Sequence, residues 1–134
     1  MNTNLYTIHT DGGARGNPGP AAIGAVIEQS GALVHRISQT IGHTTNNQAE
    51  YQAVHAALTW VQEQGGTDVD LYADSELIVK QLRGEYKVKN KDLAPWYIKC
   101  ISLKNQIGKV KFNVVRREQN TAADALVNEA LDRG

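Results

Sequence analysis

The spacing of apolar residues along the chain changes in an orderly way. The segment LYTIHTDG predicts a short strand, and AAIGAVIEQSGALVHRISQTIG predicts two strands joined by a turn at Ser30-Gly31. From Asn46 the pattern becomes helical, until Gly65-Gly66 ends the helix. The first half of the chain therefore predicts a strand, an antiparallel hairpin and a long helix.

The second half of the chain alternates between segments with the apolar period of a strand and segments with the apolar period of a helix. DVDLYAD predicts a strand, and Ser75 is a good N-cap for the short helix SELIVKQL. A further helix, a strand and a closing helix follow in DLAPWYIKCISLKNQI, KVKFNVVRR and TAADALVNEALDR. This order predicts an α/β protein with one mixed sheet, helices on its faces and a single domain over residues 1–134.

Composition narrows the functional classes. Lys plus Arg equals Asp plus Glu at 14 each, so no overall basic field indicates a nucleic-acid partner, and a polyanion would bind through a local patch. The one cysteine, Cys100, lies in an apolar helical segment and suits packing in a reducing compartment. Without a leader pattern or a run long enough to span a bilayer, we expect a soluble cytoplasmic monomer with no membrane partner.

The glycine-rich stretch HTDGGARGNPGPAAIG raises the question of a phosphate-binding loop. A P-loop requires GxxxxGK followed by Ser or Thr at the start of a helix, whereas here Gly16 leads into Asn17-Pro18-Gly19-Pro20 and then a strand. The dinucleotide pattern GxGxxG is also missing. The glycines therefore predict a turn, and the chemistry of the stretch rests on Asp11.

Four acidic residues occupy positions where side chains converge in α/β proteins. Asp11 and Asp74 each end a predicted strand, and open sheets bind ligands at the carboxyl ends of their strands. Glu50 lies near the start of its helix, within about 40° of the apolar stripe, and Asp124 lies at the margin of the stripe of the last helix. Taken singly, each acid is explained equally well by a function or by a structural role, as a turn residue or as a partner of a helix dipole.

Gathered in one crevice, the four acids would repel one another. Two unit charges about 4 Å apart cost roughly 4 kcal/mol at an effective dielectric of 20. Divalent ions relieve that repulsion, and ligands made of oxygen alone suit Mg²⁺, with Mn²⁺ as a substitute. Two such ions can activate a water and stabilise the leaving oxygen of a phosphodiester. We therefore expect metal to raise the melting temperature.

The motifs TDGGARGNPGP, TTNNQAE, DSELIVKQL, VKNKDL and RREQNTAADAL, in this order, resemble the type 1 ribonucleases H over nearly the whole chain. The resemblance implies a five-stranded mixed sheet flanked by helices, and metal-dependent hydrolysis of the RNA strand of an RNA–DNA hybrid. It also implies that the family's metal-binding carboxylates correspond to Asp11, Glu50, Asp74 and Asp124.

The resemblance also assigns substrate contacts. A hybrid exposes the 2′-hydroxyls of its RNA strand to short polar side chains, which TTNNQ supplies through Gln48 and its neighbours. In the family, the residues matching Asn17, Asn46 and Asn47 face the substrate, and those matching Thr45 and Asn90 hold a DNA-strand phosphate. Thr45 followed by Gln48 also fits a capping box, which would explain part of this run structurally.

Two departures from the family pattern bear on substrate binding. Only RGEYK separates the short helix from Val88, so the basic protrusion of some members is missing. Lys87, Lys89 and Lys91 offer a modest substitute, although such lysines are also typical of a solvated face. With few phosphate contacts we expect a shallow salt dependence.

The second departure concerns a mobile histidine that many members place before the last helix. All four histidines of this chain lie elsewhere, and Arg117 occupies a place where some short-loop members use arginine. Arg117 could steady the departing phosphate, or it could be a charge at the end of a strand.

The sequence leaves two other functions open. The missing protrusion and histidine are also compatible with a noncatalytic nucleic-acid-binding module whose acids are structural. A DNA nuclease of the wider superfamily would keep the sheet, but TTNNQ argues against it.

Overall fold

The alternating segments form five strands in a computed structural model, which describes residues 4–134. The strands are β1 (Leu5–Ala14), β2 (Gly19–Gln29), β3 (Ala32–Thr44), β4 (Asp68–Ala73) and β5 (Lys109–Val114). Their order in the sheet is β3-β2-β1-β4-β5. The antiparallel pairs β1–β2 and β2–β3 adjoin the parallel pairs β1–β4 and β4–β5, which confirms the mixed sheet.

The hairpin turns where the sequence predicts it. Ser30 and Gly31 have φ values of 53° and 82°, and two successive left-handed residues match the twist of a tight hairpin. This turn sets the register in which Gln29 lies opposite Ala32 and Glu28 lies opposite Leu33. β3 is thereby placed at one edge of the sheet.

Four helices cover the two faces of the sheet. They are α1 (Asn46–Glu63), α2 (Glu76–Leu82), α3 (Ala94–Ile107) and α4 (Thr121–Arg133). The larger core lies between the sheet and α1, with α3 packed on the outside of α1, and includes Ile8, Leu58 and Leu71. A smaller core on the opposite face joins α4 to β2 through Ala22, Val127 and Ala130.

Close backbone approaches fix α1 against the sheet. A Cβ on Gly12 of β1 would lie only 2.3 Å from the carbonyl atoms of Ala49, which is the fourth residue of α1. Side-chain-bearing residues do not tolerate such a distance, so glycine lets β1 contact the first turns of the helix. The residue after Ala49 is Glu50, and this contact therefore sets how close Glu50 comes to the strand.

The last strand is shorter than the sequence pattern suggests. KVKFNVVRR predicts a strand through Arg117, but β5 ends at Val114, and Arg117–Gln119 form a short 3-10 helix. β4 ends at Ala73, whose carbonyl accepts from Val115 N over 3.0 Å, so β5 has no partner to continue along. Arg117 therefore lies in a turn and not at the end of a strand.

Two further expectations concern segments between and within helices. Residues 83–93 connect α2 to α3 by turns without a further helix, as expected for a form without the protrusion. Across residues 4–134, no helix is both long and apolar enough to span a bilayer. Cys100 is a buried, unpaired cysteine in α3, which confirms its packing role.

Candidate active site

The site lies where the parallel ladder between β1 and β4 ends. Thr10 of β1 pairs with Ala73 of β4 in the last step of their ladder, and Asp11 and Asp74 follow these residues directly. Asp74 therefore follows the end of β4, as the sequence predicts, whereas Asp11 lies within β1, so the prediction that Asp11 ends its strand is wrong. β1 continues to Ala14 because it stays paired with β2 beyond the end of its ladder with β4. Asp11 is buried, and Asp74 is half-buried.

Glu50 reaches the same place from α1. The contact between Gly12 and Ala49 brings the start of the helix onto β1. One carboxylate oxygen from each of Asp11, Glu50 and Asp74 lies within 4.8 Å of the other two, which is close enough to hold a metal ion. We name these three residues the carboxylate cluster.

Asp124 stands at the edge of this cluster. It lies in the first turn of α4, is exposed, and is not part of the set whose oxygens lie within 4.8 Å. Its carboxyl group hydrogen-bonds that of Asp11. Asn128, one turn further along α4, donates to Asp124 Oδ2 over 3.4 Å. The structure thus places Asp124 beside the cluster without bringing it as close as the other three.

Two acids of the site, Asp11 and Glu50, have raised pKa values. Burial raises the pKa of Asp11 from 3.8 to about 7, helped by the charge of Asp74 and by the hydrogen bond with Asp124. Burial, followed by the charges of Asp11 and Asp74, also raises the pKa of Glu50 well above its usual value. Perturbed acids gathered in a cleft are typical of functional sites, because this arrangement destabilises the ionised form unless a cation is present.

The carboxylate cluster and Asp124 line a cavity of about 320 Å³. Its walls include all four acids and two cations, Arg15 and Arg117. The positive charge of Arg117 partly offsets the upward pKa shift of Glu50. An acidic cavity with arginines in its walls can hold divalent cations together with a phosphate group.

Comparisons with known proteins agree with this geometry. A family described as reverse transcriptase-like matches residues 9–130. The ribonuclease HI of Halobacterium salinarum is 43% identical over 123 residues, which cover 91% of this chain and 62% of that protein. The solved structure of LC11-RNase H1 with an RNA/DNA hybrid, a protein from a compost metagenome, is 46% identical with a TM-score of 0.91, and the match covers 96% of this chain and 97% of that one.

The chain belongs to the type 1 ribonuclease H family. The bifunctional protein Rv2228c of Mycobacterium tuberculosis is also similar, at 40% identity over 127 residues, which cover 93% of this chain. This chain spans only 35% of the length of that relative. The similarity to Rv2228c therefore concerns one part of a longer protein.

Asn120 is a further residue of this site, and the sequence pattern did not indicate it. It is buried, and its Nδ2 donates to Asp74 Oδ2 over 3.2 Å and to Thr10 O over 2.9 Å. The backbone carbonyl of Asn120 accepts from Asp124 N over 3.1 Å in the first turn of α4. The sequence offers only the signal of an asparagine before a helix, which is typical of an N-cap and does not indicate a partner on another strand.

Two of the expected substrate residues form a chain of hydrogen bonds beside the site. Asn46 Oδ1 accepts from Ala14 N over 2.8 Å, and Asn17 Oδ1 accepts from Asn46 N over 3.0 Å. Both bonds use amide oxygens, so the NH₂ groups of the two side chains are not consumed by them. Of the two, Asn46 lines the cavity.

The remaining expected substrate residues lie outside the cavity walls. Thr45 Oγ1 accepts from Gln48 N over 3.2 Å and caps α1, so the capping explanation of this pair is confirmed for Thr45. Asn47 is exposed in the first turn of α1. Asn90 lies in the connection from α2 to α3, where its Oδ1 accepts from Asp92 N over 2.7 Å. The structure does not bring Asn90 to the acids.

The basic and aromatic residues elsewhere are distributed away from the acids. Lys87, Lys89 and Lys91 are exposed in the connection from α2 to α3. A larger groove of about 540 Å³ lies between β3 and α1, where His35 stacks on Trp60 at 4.6 Å. None of the histidines lines the cavity of the acids, which agrees with the missing histidine of the sequence pattern.

Proposed function

We propose that the chain is an endonuclease that hydrolyses the RNA strand of RNA–DNA hybrids with the help of two divalent metal ions. The observation that carries this proposal is the carboxylate cluster, in which oxygens from Asp11, Glu50 and Asp74 approach within 4.8 Å although burial raises the pKa of Asp11 and Glu50. Such a cluster costs stability unless it binds cations. Its place in a ribonuclease H fold assigns the reaction class.

The donor set fits a hard divalent ion. Asp11, Glu50, Asp74 and Asp124 offer carboxylate oxygens only, and Mg²⁺ prefers oxygen, with Mn²⁺ as a substitute. When bound, such ions supply an activated water and stabilise the charge that develops on the phosphate. The chain's own carboxylates hold and orient this pair, with Asp124 completing the set from the edge of the cluster.

Arg117 acts on the phosphate in this proposal. It lies in the cavity wall, and its positive charge acts to lower the pKa of Glu50. A guanidinium can donate two parallel hydrogen bonds to phosphate oxygens, so Arg117 is suited to steady the departing group. Its exposed position leaves it free to move toward the substrate.

The RNA strand is recognised through side-chain amides and hydroxyls. Asn46 lines the cavity beside Asn17, and the NH₂ groups of both can donate to 2′-hydroxyls. We assign Asn47 and Gln48 to the same strand. Thr45 and Asn90 are assigned to a DNA-strand phosphate, with Thr45 serving also as the cap of α1. The hybrid bound by the similar LC11-RNase H1 supports this choice of substrate.

A strand-resolved cleavage assay tests the proposal. A hybrid, a DNA duplex and an RNA duplex, labelled on either strand, are incubated with Mg²⁺ or Mn²⁺, and only the RNA strand of the hybrid should be cut. Asp74→Asn should abolish cleavage while hybrid binding stays measurable. Asp70→Asn, which removes a charge from the same strand outside the cavity, should retain activity.

The assay separates the proposal from its alternatives. Cleavage of the DNA duplex would identify a DNA nuclease, and hybrid binding without any cleavage would identify a binding module. Full Mg²⁺-dependent activity in Asp74→Asn would refute the assignment of the acids. The single domain over residues 1–134, the monomeric state and the cytoplasmic location stay predictions.

A further inference from the structure

A second arginine lines the cavity beyond the acids. Arg15 directly follows β1, and its backbone N donates to Pro20 O over 2.8 Å, which closes the loop into β2. Its guanidinium Nη2 lies 2.6 Å from Asp132 Oδ1 near the end of α4. The sequence motifs assign no role to Arg15. Its side chain nevertheless belongs to the same cavity as the carboxylate cluster.

The spacing of residues on α4 shows how far the partner of Arg15 lies from Asp124. Asp124, Asn128 and Asp132 follow one another at intervals of four residues, so they lie on one face of the helix. At 1.5 Å per residue, Asp132 lies about 12 Å along the helix axis from Asp124. The guanidinium of Arg15 therefore pairs with α4 about two turns beyond Asp124, at a residue outside the cavity walls.

The ion pair between Arg15 and Asp132 is weakly held. The side chains are 51% and 68% exposed, and ion pairs at such positions contribute little because water screens them. A phosphate offers oxygens that accept two hydrogen bonds from one guanidinium. Arg15 can therefore exchange the Asp132 carboxylate for a phosphate with little loss of binding free energy.

The charge of the cavity makes this exchange useful. Four acids and two arginines line the walls, so the cavity is net acidic while its proposed substrate is a polyanion. A strand positioned for attack at the cluster must continue along the cavity toward one of its ends. Arg15 is a cation of the cavity wall whose partner, Asp132, lies about two turns of α4 beyond Asp124.

We propose that Arg15 binds a backbone phosphate of the RNA strand, and that Asp132 holds Arg15 in place while no hybrid is bound. This inference rests on the proposed hybrid substrate. It names a phosphate contact and a competing carboxylate that lie outside the carboxylate cluster.

Salt-dependent binding tests the phosphate contact. Fluorescence anisotropy with a labelled hybrid measures affinity in an Asp74→Asn background, so that no cleavage occurs. Arg15→Ala should weaken binding roughly threefold to tenfold and reduce the slope of log affinity against log salt by about 0.7 to 0.9, the value of one phosphate contact. Arg15→Lys should restore the slope.

Arg36→Ala is the matched control, because it removes an exposed arginine that lines the other groove, between β3 and α1. It should leave the slope unchanged. An unchanged slope in Arg15→Ala, or an equal change in Arg36→Ala, would overturn the contact.

A double-mutant cycle tests the role of Asp132. Asp132→Asn should tighten hybrid binding when Arg15 is present and should lose this effect in an Arg15→Ala background. An equal gain in both backgrounds would show that Asp132 merely repels the substrate, and this half of the inference would fail. A wild-type chain that never cuts the hybrid would refute the proposed function instead, whatever the binding data show.

Discussion

Asn120 donates from one amide nitrogen to Asp74 Oδ2 and to the carbonyl of Thr10. The ladder between β1 and β4 ends at the pair Thr10–Ala73, so the side-chain amide of Asn120 bonds to β1 where β4 has ended. Because the Asn120 carbonyl also accepts from Asp124 N, one buried residue ties together the elements that carry Asp11, Asp74 and Asp124. The arrangement of the acids therefore depends on a residue that is not itself acidic.

Asn120→Ala should loosen this arrangement. The change removes two hydrogen bonds and leaves the carbonyl of Thr10 buried without its donor, which costs about 1–3 kcal/mol. Asp74 also loses the group that orients it, so the rise in melting temperature on adding Mg²⁺ should shrink. Thermal melts with and without Mg²⁺ measure both effects.

Asn113→Ala is the matched control for Asn120→Ala. Asn113 Nδ2 donates to the β4 carbonyl of Leu71 over 3.2 Å, but Asn113 does not line the cavity. It should lower the melting temperature and preserve the rise with Mg²⁺. An equal rise in Asn120→Ala would show that Asn120 has only a structural role.

Gly12→Ala should separate the carboxylate cluster. The added Cβ would lie 2.3 Å from the Ala49 carbonyl and 2.6 Å from Glu50 N, so α1 must move away from β1. Overpacking of this kind typically costs about 1–3 kcal/mol, and here it also carries Glu50 away from Asp11. Both the melting temperature and hybrid cleavage should fall.

Gly13→Ala provides the comparison for Gly12→Ala. Its Cβ would meet only Val127 Cγ1 at 3.7 Å, which is an ordinary contact. Gly13→Ala should therefore retain most of the stability and activity. Similar losses in the two variants would contradict the proposed role of the contact between Gly12 and Ala49.

The order of elements could be predicted from the sequence because each element has its own local signal. Apolar period, the turn residues Ser30-Gly31 and the cap Ser75 each act within a few residues, and all three are confirmed. The end of β5 was predicted wrongly, because it depends on where β4 ends and not on the apolar pattern of β5 itself. Local sequence carries no information about the length of a partner strand.

The acids could be found from the sequence because strand ends and helix stripes have predictable directions. Asn120 and Arg15 could not, since their partners Asp74 and Asp132 lie 46 and 117 residues away along the chain. No local pattern predicts a hydrogen bond over such separations. The sequence also could not show that Asp124 lies at the edge of the cluster, because that depends on how α4 packs on the sheet.

Glu50→Gln should stabilise the metal-free chain. Burial and the charges of Asp11 and Asp74 raise the pKa of Glu50, so ionising this group opposes folding at neutral pH. The neutral amide removes that cost and should raise the melting temperature in EDTA. The same variant should lose most of the rise with Mg²⁺ and most of its cleavage. A lower melting temperature in EDTA would contradict the electrostatic account.

Arg117→Ala should impair the chemical step more than folding. The side chain is exposed, so its removal should change stability by no more than about 0.5 kcal/mol. Loss of its charge from the phosphate should lower kcat by roughly tenfold or more, which corresponds to about 1.4 kcal/mol of transition-state stabilisation. Arg117→Lys should recover part of kcat. Lys109→Ala, an exposed cation of β5 outside the cavity, is the control and should match the wild type.

The raised pKa of Asp11 makes the stability of the metal-free chain depend on pH in a definite direction. The pKa rises from 3.8 to about 7 on folding, so between these values the native chain keeps a proton that the unfolded chain releases. Stability from this group is complete below pH 4 and is lost as the pH rises through 7, at about 1.4 kcal/mol per pKa unit. Urea unfolding in EDTA should therefore give a lower free energy of unfolding at pH 8 than at pH 5.

Asp11→Asn tests the source of this pH dependence, because the amide cannot ionise. Its free energy of unfolding in EDTA should fall less between pH 5 and pH 8 than that of the wild type. Mg²⁺ binds the ionised acids, so in the wild type it should stabilise the chain more at pH 8 than at pH 5 and reduce the difference. An unchanged pH dependence in Asp11→Asn would show that other groups carry it, and that Asp11 already ionises freely in the native chain.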